Sequence, residues 1–180
     1  MDSRKICEKI VVSESDIDEI VKRLGNQINT DYAGEEIVFV SIPNGSFKFT
    51  ADLLKQITLD CHIDFMQVST YGNSTNTTGN FVVKKDLSFD VTDKNVIIIE
   101  DILDTGYTMK NLIEYFKIKH VQSLKIATLI DKPGRRTEDV HADYVGYTMD
   151  EDLFIVGYGL DYAQKYRNLP YIGVLGEHLH

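Results

Sequence analysis

Short apolar runs alternate with segments of helical spacing through most of this chain. The clearest run is 96–99, four β-branched residues that predict a strand buried on both faces of a parallel sheet. Helical spacing follows at 109–119, where Met109, Leu112 and Phe116 recur on one face. Further strands are predicted at 8–12, 37–42, 61–71, 81–83, 123–130, 144–148, 154–157 and 171–175, the last of which closes the sheet. Further helices are predicted from Ser13 or Ser15, over 47–56, and as a short turn between 161 and 167.

This alternation of strands and helices predicts an α/β fold with a mainly parallel sheet flanked by helices. A chain of 180 residues is long enough for one domain with a sizeable core and short for two. The sequence shows neither an internal repeat nor a linker, so we predict a single domain over 1–180. Residues 72–80 (GNSTNTTGN) are all Gly, Asn, Ser or Thr, which predicts a mobile loop.

Composition and charge argue against several classes of protein. The formal net charge is −9 and the lysines and arginines are scattered, whereas a broad nucleic-acid-binding surface needs a basic stripe. The two cysteines form neither a disulfide framework nor a CxxC metal motif. No apolar run reaches the roughly 18 residues of a membrane span, and the N-terminus has no apolar signal segment. We therefore expect a cytoplasmic protein without membrane contact.

Candidate chemistry is concentrated where the apolar run 96–99 ends. The chain continues EDILDTGYT, with neighbouring carboxylates at Glu100 and Asp101 and a third at Asp104 before a Thr/Gly turn. Ligands of open α/β sheets bind at the carboxyl ends of strands, and N–H groups leading into a helix form an anion site. The pattern lacks the lysine of a nucleoside-triphosphatase loop. A phosphate beside two carboxylates, which accept hydrogen bonds from ribose hydroxyls directly or through a divalent cation, indicates a sugar phosphate.

Residues 96–108 (VIIIEDILDTGYT) resemble the phosphoribosyl-pyrophosphate (PRPP) signature of type I phosphoribosyltransferases. Three further segments resemble hypoxanthine-guanine phosphoribosyltransferases in order and spacing: IPNGSF at 42–47, STYG at 69–72, and FIVGYGLDY at 154–162 continuing to Arg167. The similarity covers 10–175. It implies the type I phosphoribosyltransferase fold, with a small hood formed by the N-terminal and C-terminal segments and a mobile flap at about 69–82.

The resemblance also implies how PRPP is held. Glu100 and Asp101 are expected to hold the ribose hydroxyls and, with Asp161, to contact Mg²⁺. The loop expected to hold the 5-phosphate consists of Asp104, Thr105, Gly106, Tyr107 and Thr108. Its first residue, Asp104, also matches the catalytic residue that handles the N7 proton of the purine. The groups expected at the pyrophosphate are the backbone of Pro43, Asn44 and Gly45, where family members often have a cis peptide, and the guanidinium of Arg167.

The expected purine site is formed by Lys132, Phe154 and Ile155. By resemblance, Lys132 donates to a 6-oxo group, Phe154 stacks on the base and the backbone of Ile155 meets the substituent at C2. Thr70 and Tyr71 are expected at the base of the flap, which excludes water. By resemblance, the chain departs from the family pattern in three places. Asn44 stands where many members carry Lys or Arg, Thr70 replaces a more usual Ser, and the segment between Lys132 and Phe154 is one residue longer, near 150–152.

The resemblance implies a purine-salvage enzyme that transfers the 5-phosphoribosyl group of PRPP to hypoxanthine or guanine, giving IMP or GMP and pyrophosphate. Two alternatives stay open at this point: a xanthine-preferring phosphoribosyltransferase, and a PRPP-sensing regulator of the same fold. A DNA- or RNA-binding regulator would need an added segment or a basic face, and this sequence has neither. The expected partners are small-molecule substrates, PRPP and a 6-oxopurine base, and the expected assembly is a homodimer or homotetramer.

Overall fold

The computed structural model describes residues 6–71 and 80–176. Its centre is a five-stranded sheet, in the order β3-β2-β6-β7-β8, in which every neighbouring pair is parallel. The strands of this sheet are β2 (Ile37–Ser41), β3 (Cys61–Phe65), β6 (Asn95–Leu103), β7 (Ser123–Asp131) and β8 (Tyr144–Thr148). The helices are α1 (Glu14–Asp31), α2 (Phe47–Leu54) and α3 (Tyr107–Ile118). The prediction of an α/β fold with a parallel sheet flanked by helices is confirmed.

The apolar run at 96–99 is explained by two cores, one on each face of the sheet. Ile97 and Ile99 pack into a core with residues of α1 and α2, and Val96 and Ile98 pack into a second core with residues of α3. All four side chains are fully buried. Successive residues of a strand point to opposite faces, so in a strand covered on both sides every side chain is buried and apolar residues are favoured at each position.

Helix α1 begins where the polar pattern predicts, and the structure selects one of the two candidate caps. Ser13 is the N-cap: its Oγ accepts a hydrogen bond from the N–H of Asp16, and the Asp16 carboxylate accepts from the N–H of Ser13. This reciprocal pair satisfies two N–H groups that the helix itself leaves free. None of the helices in the two described stretches is long and apolar enough to cross a membrane.

The segment predicted as one strand over 61–71 is divided, which corrects that prediction. β3 ends at Phe65, and β4 (Gln67–Tyr71) pairs antiparallel with β5 (Asn80–Lys85) in a separate two-stranded sheet. Met66 lies between them, fully buried, with its N–H donating to Ser41 at 3.1 Å. The chain leaves the parallel sheet at this buried residue. The predicted mobile loop lies, except for Asn80, outside the described residues.

The C-terminal segment also differs from the prediction. Strand β10 (Ile172–Leu175) does not close the main sheet, because it forms a small antiparallel sheet between β1 (Cys7–Val12) and β9 (Ile155–Val156). No helical turn forms between 161 and 167. Those residues instead make a tight reversal, with a bridge between Tyr162 and Lys165 and positive φ at Ala163, Gln164 and Tyr166. A short apolar pattern predicts a strand but does not identify its partner.

Candidate active site

The predicted site residues lie on loops at one edge of the main sheet. Parallel strands β2, β6 and β7 all end there, so the segments that follow them, at 42–46, 104–106 and 132–136, are brought together. This is the edge at which open α/β sheets bind ligands. Loop positions beyond a rigid sheet suit binding, because the strands hold the loops and the loops carry the polar groups.

The two neighbouring carboxylates, Glu100 and Asp101, lie near the carboxyl end of strand β6. The N–H of Asp101 donates to Glu100 Oε1 at 3.3 Å, and the N–H of Ile102 donates to Asp101 Oδ1 at 2.8 Å. Burial and the nearby charge of Asp101 raise the pKa of Glu100 well above its usual value. A pair of close, partly buried carboxylates is suited to hydroxyl donors or a cation, either of which would relieve the repulsion.

A small cavity of about 290 Å³, called here the smaller cavity, lies beside these carboxylates at the N-terminus of α3. Gly106 precedes the helix with φ of 84°, a left-handed conformation that glycine adopts without strain. Gly106 has no side chain with which to cap the helix, in contrast to Ser13 at α1, and Thr105 Oγ1 accepts a hydrogen bond from the N–H of Tyr107 at 3.4 Å. The residues that line the smaller cavity are Ile42, Val68, Ser69, Glu100, Ile102, Leu103, Asp104, Thr105, Gly106, Thr108 and Met109. A helix N-terminus with two threonines beside it is the kind of arrangement that suits an anion.

The loop at 104–106 is held by the segment that follows β7. The carbonyl of Thr105 accepts hydrogen bonds from the N–H groups of Thr137 and Glu138, at 3.0 and 3.1 Å. The side chain of Arg136, which is mostly buried, donates through Nε to the carbonyl of Asp104 at 2.8 Å and also pairs with Asp131. Sequence reasoning missed this support, since a pair of adjacent arginines in a loop resembles ordinary surface charge.

A second cavity of about 520 Å³, called here the larger cavity, adjoins the first. Its lining residues are Asp101, Ile102, Asp104, Lys132, Arg135, Asp152, Leu153, Phe154, Ile155, Leu160 and Asp161. Lys132 is 7 % exposed and its Nζ donates to the carbonyl of Leu153 at 2.7 Å. Burial lowers the pKa of Lys132, against the raising effects of Asp104 and Asp152. Phe154 is 46 % exposed, and its ring meets that of Tyr162 edge to face, with the ring centroids 5.6 Å apart.

Asp104 lines both cavities, and its carboxylate has a charged partner that the sequence pattern did not indicate. Arg135 donates through Nε to Asp104 Oδ1 at 2.7 Å and through Nη1 to Asp152 Oδ2 at 2.7 Å. The same Asp152 lies 4.0 Å from the Nζ of Lys132. Four charges of alternating sign therefore run along the larger cavity.

The loop Pro43–Asn44–Gly45 lies against the acidic pair, and the peptide bond between Pro43 and Asn44 is cis. A Cβ on Gly45 would lie 1.4 Å from Asp101 Oδ2, so the backbone and the carboxylate are in direct contact. Behind the loop, a Cβ on Gly159 would lie 2.1 Å from the carbonyl oxygen of Gly45. Beneath it are three buried hydroxyls, Ser41, Ser46 and Thr50, that hydrogen-bond in a chain.

Asp161 and Arg167 are paired with each other. Arg167 Nη2 lies 2.8 Å from Asp161 Oδ1, and Arg167 Nη1 donates to the carbonyl of Gly159 at 2.7 Å. Asp161 lines the larger cavity, whereas Arg167 is not among the lining residues of either cavity. Thr70 and Tyr71 end β4, paired with Phe81 and Asn80 of β5, and the rest of the predicted flap up to residue 79 lies outside the described residues.

Glu100, Asp101 and Asp161 are the carboxylates that would supply oxygen ligands to a hard divalent cation. Asp101 and Asp161 line one cavity and Glu100 lies beside Asp101, so carboxylate oxygens predominate there. Among the described residues, no group of three His, Cys, Asp or Glu side chains converges on a metal position. A magnesium ion at this place would take its remaining oxygens from water and from a bound diphosphate, as this ion commonly does.

Comparison with known proteins agrees with this geometry. Residues 13–163 match the model of the phosphoribosyl transferase domain. The chain is 46% identical over 173 residues to the hypoxanthine-guanine phosphoribosyltransferase of Streptococcus pneumoniae, covering 96% of each, and 46% identical over 168 residues to that of Bacillus subtilis, covering 93% of each. A crystal structure of a hypoxanthine phosphoribosyltransferase from Staphylococcus aureus superposes with a TM-score of 0.95 at 46% identity, covering 100% of this chain and 98% of that one. The chain therefore belongs to the phosphoribosyltransferase family and, within it, to the hypoxanthine-guanine phosphoribosyltransferases, the pentosyl-transferring enzymes of purine salvage.

Proposed function

We propose that this enzyme transfers the 5-phosphoribosyl group of PRPP to N9 of hypoxanthine or guanine and that Asp104 accepts the N7 proton of the base. The observation that carries the assignment of Asp104 is its position. It lines both the smaller cavity, which suits an anion, and the larger cavity, which suits a flat base. A residue at that junction is within reach of a base whose N9 attacks the ribose.

The 5-phosphate is assigned to the smaller cavity. The N–H groups at the start of α3 and the hydroxyls of Thr105 and Thr108 supply donors, and the left-handed Gly106 allows close approach of the backbone. Tyr107, the first residue of the helix, contributes its N–H. Hydrogen bonds from Thr137 and Glu138 to the Thr105 carbonyl keep this loop in place before the ligand arrives.

The ribose and the leaving group are assigned to the two acidic loops. Glu100 and Asp101 accept hydrogen bonds from the 2- and 3-hydroxyls, and their charge stabilises the cationic ribose that develops as the C1–oxygen bond breaks. The backbone of Pro43, Asn44 and Gly45 and the guanidinium of Arg167 are assigned to the pyrophosphate. Glu100, Asp101 and Asp161 are the residues that would hold magnesium, and the bound ion would supply positive charge to the leaving diphosphate.

The base is assigned to the larger cavity. Lys132 donates to the 6-oxo group, Phe154 stacks on the ring, and the backbone of Ile155 contacts the substituent at C2. The chain's own contacts support this assignment, because Lys132 is already held by the Leu153 carbonyl, directly before Phe154. A buried donor at this position favours 6-oxopurines over adenine, whose 6-amino group would meet it donor to donor.

Two broader features belong to the same proposal. The whole chain acts as one domain, in which the small sheet of β1, β10 and β9 is the hood and the segment at about 69–82 is a flap that closes over the reacting atoms and excludes water. The assembly is a homodimer or homotetramer.

The test of the reaction is a panel of bases. The purified protein is incubated with PRPP, Mg²⁺ and hypoxanthine, guanine, xanthine or adenine in turn, and nucleoside monophosphate and pyrophosphate are followed. We expect turnover with hypoxanthine and guanine and little with adenine. Absence of monophosphate with both 6-oxopurines would refute the proposed function, and faster turnover of xanthine would reassign its substrate.

The test of Asp104 is its replacement by asparagine, which keeps the size of the side chain and removes the proton acceptor. We expect Asp104→Asn to lower kcat by about 10²-fold or more, the usual contribution of a general base, and to leave the Kd for PRPP nearly unchanged. Single-turnover kinetics and equilibrium PRPP binding separate the two quantities. A weakened Kd with an unchanged kcat would assign Asp104 to PRPP binding instead.

A further inference from the structure

Arg135 connects two carboxylates that line the larger cavity. It ends the short 3-10 turn Pro133–Arg135 and donates to Asp104 Oδ1 through Nε and to Asp152 Oδ2 through Nη1, both at 2.7 Å. Asp152 lies two residues before Phe154, the residue proposed to stack on the base. The charged connection therefore joins the proposed proton acceptor to the loop that carries the proposed stacking residue.

The geometry of a guanidinium makes this contact directional. Its donors lie in one rigid plane at fixed angles, so a hydrogen bond from Nε determines where Asp104 Oδ1 lies. The bond from Nη1 to Asp152, whose side chain is 63 % exposed, gives the other end of the same plane a second partner. Among the described residues none is hydrogen-bonded to Asp104 Oδ2, which leaves that oxygen for a ligand.

The neighbouring arginine performs a separate task. Arg136 donates to the backbone carbonyl of Asp104 at 2.8 Å and to that of Leu103 at 3.0 Å, so it holds the main chain of the loop. Arg135 contacts the carboxylate and not the backbone of Asp104. The main chain and the side chain of Asp104 are thus held independently, and the side chain can be released without removing the loop's support.

We propose that Arg135 is a positioning residue that orients the Asp104 carboxylate toward the base and that Asp152 anchors Arg135. The inference rests on the proposed function, in which Asp104 accepts the N7 proton of the purine. Such a transfer needs the carboxylate oxygen within about 2.6–3.2 Å of the proton-bearing nitrogen, and a carboxylate free to rotate spends much of its time outside that range. Arg135 itself stays protonated and exchanges no proton.

The principal test compares Arg135→Gln and Arg135→Lys with a control in the same protein. Lys125→Gln is the control, because it removes an ion pair of equal length, Lys125 Nζ to Asp143 Oδ1 at 2.7 Å, that lines neither cavity. We expect Arg135→Gln to lower kcat about tenfold while the KM values for PRPP and hypoxanthine and the unfolding temperature stay unchanged. Arg135→Lys should recover part of the loss, since an ammonium restores the charge without the planar fork. The control should match the wild type.

Double variants test whether the three residues act as a unit. Asp152→Asn should lower kcat about threefold alone and have no further effect on kcat in Arg135→Gln, because its action on Asp104 passes through that arginine. Its 4.0 Å approach to Lys132 would instead be seen in the KM for hypoxanthine. Arg135→Gln should likewise add nothing to Asp104→Asn. Additive losses in either pair would overturn the proposal.

Three other results would also overturn it. An unchanged kcat in Arg135→Gln would show that Asp104 needs no orientation, and a raised KM for hypoxanthine at unchanged kcat would make Arg135 a direct base contact. Full recovery by lysine would make the effect one of charge alone. Failure of the proposed function can be told apart from failure of the positioning role, because it would be seen in the wild-type protein as absence of monophosphate with every base. That result would refute the positioning role as well.

Discussion

Replacing Gly45 with alanine tests the contact between the pyrophosphate loop and the ribose-binding acid. The added methyl carbon would lie 1.4 Å from Asp101 Oδ2 and 2.5 Å from its Cγ, whereas ordinary contact begins at 3.4 Å. The loop or the carboxylate must therefore move by about 2 Å. Retreat of the loop is opposed from behind, because Gly159 packs directly on the Gly45 carbonyl. Movement of Asp101 breaks its hydrogen bond from the N–H of Ile102, 2.8 Å long.

The expected effect on activity is large, because displacements of about 1 Å in a catalytic site cost on the order of 10²-fold in rate. We expect Gly45→Ala to lower kcat/KM for PRPP by at least about 10²-fold and to lower the free energy of unfolding by about 1–3 kcal/mol, a usual cost of overpacking. Initial rates at varied PRPP and urea unfolding give the two quantities.

The matched control is Gly34→Ala. Gly34 has φ of 84°, so alanine there is strained, but no atom lies within 4 Å of its added Cβ. We expect a loss of stability of about 1 kcal/mol with normal kinetics. A Gly45→Ala enzyme with wild-type kcat/KM would refute the reasoning, since it would mean that the contact between Gly45 and Asp101 is not needed for turnover.

Two further predictions concern a base contact and a buried carboxylate. Lys132→Met should lower kcat/KM for hypoxanthine about a hundredfold and leave the low kcat/KM for adenine unchanged. An equal fall in kcat/KM for both bases would contradict the role of Lys132 as the donor to the 6-oxo group. Burial alone would raise the pKa of Asp64, but hydrogen bonds from Ser88 and Phe65 outweigh it and hold that pKa below its ordinary value. The ionised Asp64 therefore stabilises the fold above its unfolded pKa of about 3.9, and this contribution is lost as pH falls through the lower folded pKa. Asp64→Asn should lower the free energy of unfolding by about 1–3 kcal/mol at neutral pH, and the difference from wild type in urea titrations should shrink toward about pH 2; a constant difference would refute the linkage.

Much of the fold was predictable, because periodicity reports how each element is buried. The run at 96–99 is apolar because both faces of β6 are covered. In the helix that follows, apolar residues recur every three or four positions because one face packs on the sheet. The break at Met66 was not predictable, since a methionine between two segments of mixed polar and apolar residues continues the pattern of a strand. The partners of β9 and β10 were not predictable for a related reason: strand patterns carry no information about pairing.

The site divides in the same way. The order of residues at 100–108 was sufficient to predict carboxylates beside an anion-binding turn, since neighbours in sequence remain neighbours at the end of a strand. The chain by itself also carried the family, through four motifs in a common order. Only the tertiary structure joined Gly45 to Asp101, and Arg135 to Asp104 and Asp152, because these contacts cross between loops that follow different strands. Residues far apart in sequence are brought together by sheet order and register, which arise from packing of the whole chain.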